Sequence, residues 1–274
     1  MFTNEEILRV ALEQSAIDSN CKWDDFLKKD NVIVTSVANP SARRYLKLPH
    51  VCDLTTYGNN IVATISEEYR DIVEGYISKY AVEHCFETPN MHVLNDAFRP
   101  HGLGVCFMAE YFLPDMDVLK PLACKLETRV LEQADFIDLY KPEWSNALCE
   151  DRKHLDVLGV GAYDNGKLVG LAACSADGDT MWQIGIDVLP EYRRQGIASA
   201  ITSRLAVEIL ERGKVPFYCW RPEAGYSVSA GQDTTSPAAS RRGSPLPASH
   251  RRASFEAPAP PRQSTYRSRW PCRR

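Results

Sequence analysis

The sequence predicts an α/β (α+β) protein in which a mixed central sheet is flanked by helices, preceded by a smaller N-terminal α/β domain and followed by a disordered tail. Three observations support this fold class. Helical and extended patterns alternate through residues 1–120, three extended runs precede a long amphipathic helix within residues 121–220, and the composition changes abruptly at residue 221. We therefore expect an N-terminal domain at 1–120, a core domain at 121–220 and a tail at 221–274.

The N-terminal domain is predicted from hydrophobic periodicity and from β-branched density. Ile7, Leu8, Ala11 and Leu12 recur at helical spacing, whereas the run that begins at Asn31 is dense in valine and isoleucine. The predicted elements, in order, are a helix at 4–16, a short helix at 22–29, strands at 31–37 and 61–65, a helix at 67–80 and a strand at 104–112. This alternation is typical of an α/β or α+β unit.

The core domain is predicted to contain an antiparallel meander. Asn165-Gly166 between two β-rich runs is the strongest short-range signal for a hairpin, and the Asp-Gly-Asp sequence at 177–179 marks the next turn. The predicted elements, in order, are an extended segment at 122–131, weakly helical residues to 153, strands at 155–163, 167–175 and 181–189, a helix at 194–212 and a strand at 215–220. Gly213 stands where a helix C-cap is expected.

The composition is that of a globular chain in water. The 274 residues are 44% apolar and 25% charged with a formal net charge of −4, and no apolar run approaches the ~20 residues that cross a bilayer. Acidic residues stand at the N-terminus, where a secretory signal carries basic ones. We therefore expect a cytoplasmic protein without membrane association.

The nine cysteines do not suggest a metal site. They lie at least 18 positions apart, so no pair has the spacing of metal ligands. In a chain predicted to be cytoplasmic, scattered thiols of this kind are reduced and mostly buried. We expect no metal cofactor.

One segment carries a binding pattern. Residues 188–198 run Val-Leu-Pro-Glu-Tyr-Arg-Arg-Gln-Gly-Ile-Ala between a predicted strand and the predicted long helix. The free amides and the dipole of a helix N-terminus bind anions, Gly196 leaves space for a phosphate oxygen to approach the backbone, and Arg193 and Arg194 add positive charge. The pattern favours a phosphate site, and the alternative is a basic surface loop that caps an ordinary amphipathic helix.

The order of elements around this segment resembles the GCN5-related N-acetyltransferase (GNAT) family. The coenzyme A signature of that family is Arg/Gln-x-x-Gly-x-Gly/Ala, and Arg193, Gly196 and Ala198 stand at its three fixed positions. The Pro-x-Tyr sequence at 190–192 matches the usual residues before it. The resemblance covers residues 122–220, and the N-terminal domain is similar to the companion domain of two-domain bacterial members.

This resemblance implies an N-acetyltransferase that transfers an acetyl group from acetyl-coenzyme A (acetyl-CoA) to an amine acceptor by direct attack on the thioester. It implies a bulged fourth core strand, here 181–189, that diverges from the next strand, here 215–219, so that pantetheine inserts as a substitute strand. The implied cofactor-binding residues are Ile186, Asp187 and Val188 through their main chains and Arg193, Arg194, Gln195, Gly196, Ile197, Ala198 and Ser199 around the pyrophosphate. A main-chain N–H near 186–188 would stabilise the oxyanion.

The residues that move protons are less well defined. Many family members use a glutamate on the fourth core strand as general base, but Trp182 and Gln183 stand there in this sequence. Asp187 is either a base that acts through an ordered water or a strand-end residue that faces solvent. Tyr218 either protonates the leaving thiolate or is a half-buried strand aromatic. The two aspartates at 177–179 are the other nearby carboxylates, and they suit turn formation equally well.

The tail differs in kind from the rest of the chain. Residues 221–274 contain ten arginines, no lysine and three acids, whereas residues 1–220 contain eleven arginines, eleven lysines and 33 acids. Arginine, proline, serine and alanine make up most of the tail, and such a segment buries too little apolar surface to offset the entropy of ordering. The family continues after the fifth strand with a helix and a β-hairpin, and in this sequence the tail stands in their place. We therefore expect the strand at 215–219 to form an exposed sheet edge.

Two interpretations of the tail remain. It is either the product of out-of-frame translation of a GC-rich gene or a genuine basic tail in which Arg241-Arg-Gly-Ser244 and Arg251-Arg-Ala-Ser254 are phosphorylatable elements. A second function class is a catalytically impaired protein that retains a damaged CoA site because the end of the fold is missing, or an interaction protein whose basic tail binds nucleic acid or another acidic partner. The sequence names neither the acceptor amine nor the oligomeric state.

Overall fold

Strands from both predicted domains form one continuous mixed sheet. The computed structural model describes residues 2–220 and 249–256. The strands in these residues are β1 (Val32–Thr35), β2 (Cys52–Thr56), β3 (Val62–Ile65), β4 (Gly104–Phe112), β5 (Glu127–Glu132), β6 (Asp156–Asp164), β7 (Lys167–Ser175), β8 (Met181–Val188), β9 (Val215–Trp220) and β10 (Ser249–Glu256). Their order across the sheet is β1-β3-β2-β10-β4-β9-β8-β7-β6-β5. The pairs β1–β3 and β8–β9 are parallel, and the other described pairs are antiparallel.

Four α-helices cover the sheet in the described part of the chain. They are α1 (Asn4–Ser19), α2 (Arg70–Ile77), α3 (Thr88–Phe98) and α4 (Ile197–Glu211). Among the described residues, no helix is long and apolar enough to span a membrane.

The helices divide between two faces of the sheet. Ile7 of α1 packs in one cluster with Phe217, and the 3-10 turns of residues 133–155 pack on Leu171 of β7 through Trp144. Both contacts lie on the same side of the sheet, which we call the front face. The helices α2, α3 and α4 pack on the opposite back face. The site described below lies where the two layers meet the edges of β8 and β9.

The predicted fold class is confirmed, with differences in individual elements. The bounds of β4 and β7 are those predicted, as are those of β9. Sequence periodicity does not predict β2 or α3. All five residues of β2 are buried, so the strand lacks the alternation of polar and apolar residues by which a half-buried strand is found. The predicted weak helix before residue 153 is a series of 3-10 turns instead.

The predicted exposed edge at 215–219 is wrong. β4 pairs antiparallel with β9, with Phe112 opposite Tyr218 and Tyr111 opposite Cys219. The predicted N-terminal domain therefore covers the side of β9 that the sequence analysis left open. Pairing between strands so distant in the chain leaves no local signal in a single sequence.

Part of the predicted tail lies inside the sheet. β10 pairs antiparallel with β2 on one side and with β4 on the other. Its residues Arg252 and Ala253 are 3% and 0% exposed. Sequence analysis assigns no strand here, because the apolar contacts of Ala253 and the ion pairs of Arg252 arise only on folding. The rest of 221–274, including Arg241 to Ser244 and the proposed change of frame, lies outside the described residues.

Candidate functional site

The N-terminus of α4 presents backbone amides without a side-chain cap. Gly196 is the N-cap residue with φ of +79°, a left-handed conformation that glycine adopts without strain. The amides of Ile197, Ala198 and Ser199 have no acceptor in a preceding helical turn. A Cβ built on Gly196 would meet no described atom within 4 Å, so the space over the glycine is open. Because the dipole adds partial positive charge, this end of α4 suits an anion such as a pyrophosphate.

The loop before α4 adds positive charge. Arg193, Arg194 and Gln195 are exposed. Arg193 Nε donates to the carbonyl oxygen of Val188 at 3.0 Å, which ties the loop to the end of β8. Arg194 has a positive φ of 62°, so the loop turns sharply just before the helix begins. The loop therefore brings two cations next to the open amides.

β8 and β9 begin as paired neighbours and then separate. They pair in parallel from Met181 to Ile184 of β8, and no pairing between them follows in the described residues. β8 nevertheless continues to Val188 and stays paired with β7 to its end. The end of pairing at Ile184 fits the divergence that the family resemblance implies. The implied bulge is absent from β8, because the β7–β8 register has no shift in these described strands.

We call the space between β8 and β9 beyond Ile184 the opening. The alternation of hydrogen bonds along β8 decides which of its backbone groups face this opening. The amide of Val215 donates to the carbonyl oxygen of Thr180 at 2.9 Å, so residues of even number direct their backbone groups toward β9. Ile186 and Val188 belong to this set, whereas the backbone of Asp187 is directed toward β7. Of the three main chains predicted to contact pantetheine, two therefore face the opening.

Side chains donate hydrogen bonds to the two carbonyl oxygens of β8 that face the opening. Asn146 Nδ2 donates to the carbonyl oxygen of Ile186 at 2.6 Å, and Arg193 donates to that of Val188. No described side chain accepts a hydrogen bond from the amides of Ile186 and Val188. The opening therefore presents amide donors, which suit a ligand with carbonyl oxygens.

The carboxylate of Asp187 holds the turn that carries Asn146. Asp187 Oδ2 accepts hydrogen bonds from the amides of Asn146 (2.9 Å) and Ala147 (2.8 Å). These contacts fix residues 145–147 against β8 and so place Asn146 on the Ile186 carbonyl. They are the contacts of a positioning residue, and the predicted role of Asp187 as a general base stays a prediction.

Tyr218 lies where the opening begins, at the last pair between β8 and β9, and we call this point the vertex of the opening. It stands opposite Ile184, the last residue of β8 that pairs with β9, and opposite Phe112 of β4. Its side chain is half-buried. Its predicted role as the acid for the leaving thiolate stays a prediction.

The two aspartates of the turn at 177–179 have different surroundings. Asp177 is fully buried and pairs with Arg152. The side chain of Asp179 is 71% exposed and forms an ion pair with Arg44 at 2.6 Å. Both carboxylates are held by arginines, which accounts for them as parts of the turn and of the packing around it.

Sequence analysis missed several polar residues near the opening. Asn146 lies in the turn between the 3-10 helices Pro142–Trp144 and Glu150–Leu155, and Arg152 lies in the second of these helices. Tyr45 lies in the irregular segment between β1 and β2. Such segments have no periodicity, and none of these residues belongs to a motif. No signal in the single sequence brings them together.

The described residues contain no group of three or more side chains arranged to hold a metal ion. The chemistry of the site is instead that of amide donors and arginines. These groups fit a ligand with phosphates and carbonyl oxygens.

A comparison with family models agrees with this geometry. Residues 126–220 match the model of the acetyltransferase (GNAT) family. The matched region extends from β5 to β9 and includes the α4 N-terminus and the divergent strands. The chain therefore carries a GNAT acetyltransferase domain, and acyl transfer is the general class of reaction of such a domain. No curated protein is significantly similar to the chain.

Solved structures show distant similarity. A GCN5-related N-acetyltransferase-like protein from Streptococcus suis is 19% identical with a TM-score of 0.35, over 48% of this chain and 58% of its own. A functionally unknown conserved protein from Staphylococcus epidermidis is 19% identical with a TM-score of 0.39, over 60% and 67%. A GCN5-related N-acetyltransferase from Kribbella flavida is 14% identical with a TM-score of 0.39, over 61% and 64%. Similarities this low carry no argument about activity or substrate.

Proposed function

We propose that the protein is an N-acetyltransferase that transfers an acetyl group from acetyl-CoA to an amine acceptor. The observation that carries the proposal is the divergence of β8 from β9 beside the uncapped N-terminus of α4. The family match at 126–220 supports acyl transfer in general. The amides and arginines of the site support a CoA thioester as the donor.

The chain offers two sets of groups to the donor. Amides of residues 194–199 and the charges of Arg193 and Arg194 would hold its pyrophosphate, and the open space over Gly196 supports this assignment. The amides of Ile186 and Val188 would donate to carbonyl oxygens of its pantetheine arm, in the manner of strand addition to a sheet.

Bound acetyl-CoA supplies an acetyl thioester that an uncharged amine attacks directly. A β8 amide near Ile186 would donate to the carbonyl oxygen as negative charge develops there, and donors of this kind contribute about 3–4 kcal/mol in other acyl-transfer sites. Asn146 and Asp187 would position that amide, because they hold the Ile186 carbonyl and the turn over it.

Two side chains are proposed to move protons. Asp187 projects from the front side of β8 and would take the amine proton through an ordered water while it holds residues 145–147. Tyr218, at the vertex of the opening, would protonate the departing thiolate.

Calorimetric titration of the full chain with acetyl-CoA, followed by a thiol-release assay with a panel of amines, tests the proposal. We expect saturable binding and thiol release that depends on an added amine. Binding without thiol release from any amine would contradict the enzyme proposal and favour the impaired CoA-binding protein. Absence of binding would overturn both.

A further inference from the structure

A buried polar cluster on the front face contains side-chain atoms without hydrogen-bond partners among the described residues. These atoms are the Tyr45 hydroxyl, Gln183 Oε1 and both Nε and Nη2 of Arg152. Tyr45 is 8% exposed, Gln183 is 3% exposed and the Arg152 side chain is 13% exposed. Buried polar groups are nearly always paired. A bound ligand or ordered water would supply the hydrogen bonds that these four atoms lack among the described residues.

The cluster lies next to the opening between β8 and β9. Gln183 directly precedes Ile184, the last residue of β8 that pairs with β9. Arg152 pairs with Asp177, which follows the end of β7 that stands beside Gln183. The Cζ atom of Arg152 is 5.9 Å from the centroid of the Tyr45 ring. The three residues therefore lie on neighbouring segments of the front face, beside the last pair of β8 with β9.

The Tyr45 hydroxyl remains uncharged at this site. Burial raises the pKa of the Tyr45 hydroxyl to about 12, while the charges of Arg43 and Arg252 act in the opposite direction and the Cys219 thiol acts with the burial. The hydroxyl is therefore protonated at neutral pH and able to donate.

The unpartnered atoms define the chemistry of the missing partner. Nη1 of Arg152 donates a hydrogen bond to Asp177, whereas Nε and Nη2 have no acceptor among the described residues. These two nitrogens form the edge of a guanidinium that donates two parallel hydrogen bonds to one carboxylate. The Tyr45 hydroxyl is a further donor, whereas Gln183 Oε1 accepts and so suits the N–H of an amine.

The charges in and around the cluster indicate what net charge a ligand bound there should carry. Arg152 of the cluster and the two nearby buried guanidiniums that the structure describes each have a carboxylate partner, in the pairs Arg152–Asp177, Arg43–Asp18 and Arg252–Asp53. Burying an uncompensated charge is unfavourable. A ligand of a single charge would unbalance these pairs, whereas a ligand with both an ammonium and a carboxylate preserves the balance.

We propose that Arg152, Tyr45 and Gln183 form the acceptor subsite for an amino acid. Its carboxylate binds Arg152 and Tyr45, and its amine faces Gln183 near the acetyl donor. This inference rests on the proposed acetyl transfer. In the reaction, the amine nitrogen forms an amide bond with the acetyl carbon, the thioester C–S bond breaks, the amine loses a proton and CoA leaves as the protonated thiol.

Calorimetric titration of the full chain, saturated with CoA, tests the subsite without reference to activity. The probes are the twenty common amino acids and their carboxamides. We expect at least one amino acid to bind and its carboxamide to bind about 10-fold or more weakly, because the amide group lacks the charge that Arg152 recognises.

Two variants and one matched control sharpen the test. Arg152→Gln should weaken binding of the preferred amino acid by about 10- to 100-fold, and Tyr45→Phe by about 3- to 10-fold. Arg44→Gln is the control, because Arg44 directly precedes Tyr45 in the chain. It should not weaken binding, because the Arg44 side chain is 45% exposed and paired with Asp179. Tyr45→Phe also serves if Arg152→Gln fails to fold, since the Tyr45 hydroxyl has no described hydrogen bond to lose.

The subsite is overturned if no amino acid binds, if carboxamides bind equally well, or if Tyr45→Phe binds as the wild type does. Waters would then be the partners of the cluster. This failure is distinct from that of the proposed function. Thiol release with amines that lack a carboxylate, without preference for amino acids, contradicts the subsite alone. Amino-acid binding without thiol release from any amine contradicts acetyl transfer alone.

Discussion

Arg252 Nε lies 2.7 Å from Asp53 Oδ1, and this contact joins β10 to β2 across 199 positions of the chain. Arg252 Nη2 also lies 2.8 Å from His50 Nε2. Arg252 and Asp53 are 3% and 0% exposed, so neither charge is solvated by water. Loss of either partner would remove the closest opposite charge from a group that is buried in the sheet. The pair therefore connects a segment of unusual composition to the centre of the sheet.

Arg252→Ala should lower the free energy of unfolding by about 3–5 kcal/mol, because it removes the guanidinium that forms a buried ion pair with the Asp53 carboxylate. Urea unfolding measures the change. Arg9→Ala is the control, since Arg9 and Glu13 form an exposed pair at 2.7 Å. The control should cost less than about 1 kcal/mol. Equal losses in the two variants would show that Arg252 is not a buried partner of Asp53.

Stability should decrease in mild acid through His50. Burial lowers the pKa of His50. The charge of Asp53 raises this pKa and the charge of Arg252 lowers it, and the net effect is a lowered pKa. The unfolded chain, in which a histidine titrates near about 6.5, binds the proton more readily than the folded protein. The free energy of unfolding should therefore be fully retained above that pH and fall as the pH drops through it.

Urea unfolding between pH 8 and 5 checks this dependence by comparison with His50→Gln, which removes the titrating group. His84→Gln serves as the control, because Glu87 raises the pKa of the exposed His84 and gives a contribution of opposite sign. The same pH dependence in the wild type and His50→Gln would contradict the assignment.

Gly196→Val should abolish binding of acetyl-CoA, because a branched side chain would occupy the open space beside the α4 amides. The positive φ of the glycine adds strain of about 1–2 kcal/mol. Gly213→Val is a matched control at the other end of α4, since Gly213 has φ of +71° and equally open surroundings. Both variants should lose similar stability in urea, and only Gly196→Val should lose binding in calorimetry. Wild-type affinity in Gly196→Val would disprove the phosphate site.

Arg193→Ala and Arg194→Ala should weaken acetyl-CoA binding more at low salt than at high salt, because exposed charges are screened beyond about 8 Å at physiological ionic strength. Arg193→Ala should keep part of its effect at high salt, since it also loses the hydrogen bond to the Val188 carbonyl. Calorimetry at two salt concentrations measures both effects. Arg99→Ala, at a side chain 71% exposed, is the control. Unchanged affinity of both variants at low salt would place the phosphates elsewhere.

Asp187→Asn separates the two roles proposed for Asp187. The amide oxygen of asparagine can still accept hydrogen bonds from Asn146 and Ala147, so this variant should unfold like the wild type. Its kcat should fall by about 100- to 10,000-fold, with loss of the acidic limb of the pH–rate profile, because the base is gone. Asp187→Ala should in addition lose stability. A wild-type rate and profile in Asp187→Asn would leave Asp187 with the positioning role alone.

The sequence by itself determined the local elements of this protein and its clearest binding pattern. β4, β7 and β9 follow from short runs of β-favouring residues, and α4 follows from the spacing of Ile197, Ile201 and Leu205. The loop at 188–198 predicts an anion site, because the amides at a helix N-terminus, a glycine that leaves them open and two arginine charges stand close together in the sequence. Each of these signals depends on residues a few positions apart.

Only the tertiary structure decided which strands are neighbours and which charges are buried. It placed β4 beside β9, inserted β10 between β2 and β4, and ended the pairing of β8 with β9 at Ile184. It also placed Tyr45, Arg152 and Gln183 on neighbouring segments of the front face. These outcomes depend on packing and desolvation between segments far apart in the chain. A single sequence carries no local periodicity for such contacts, because their free energy arises only when the segments meet.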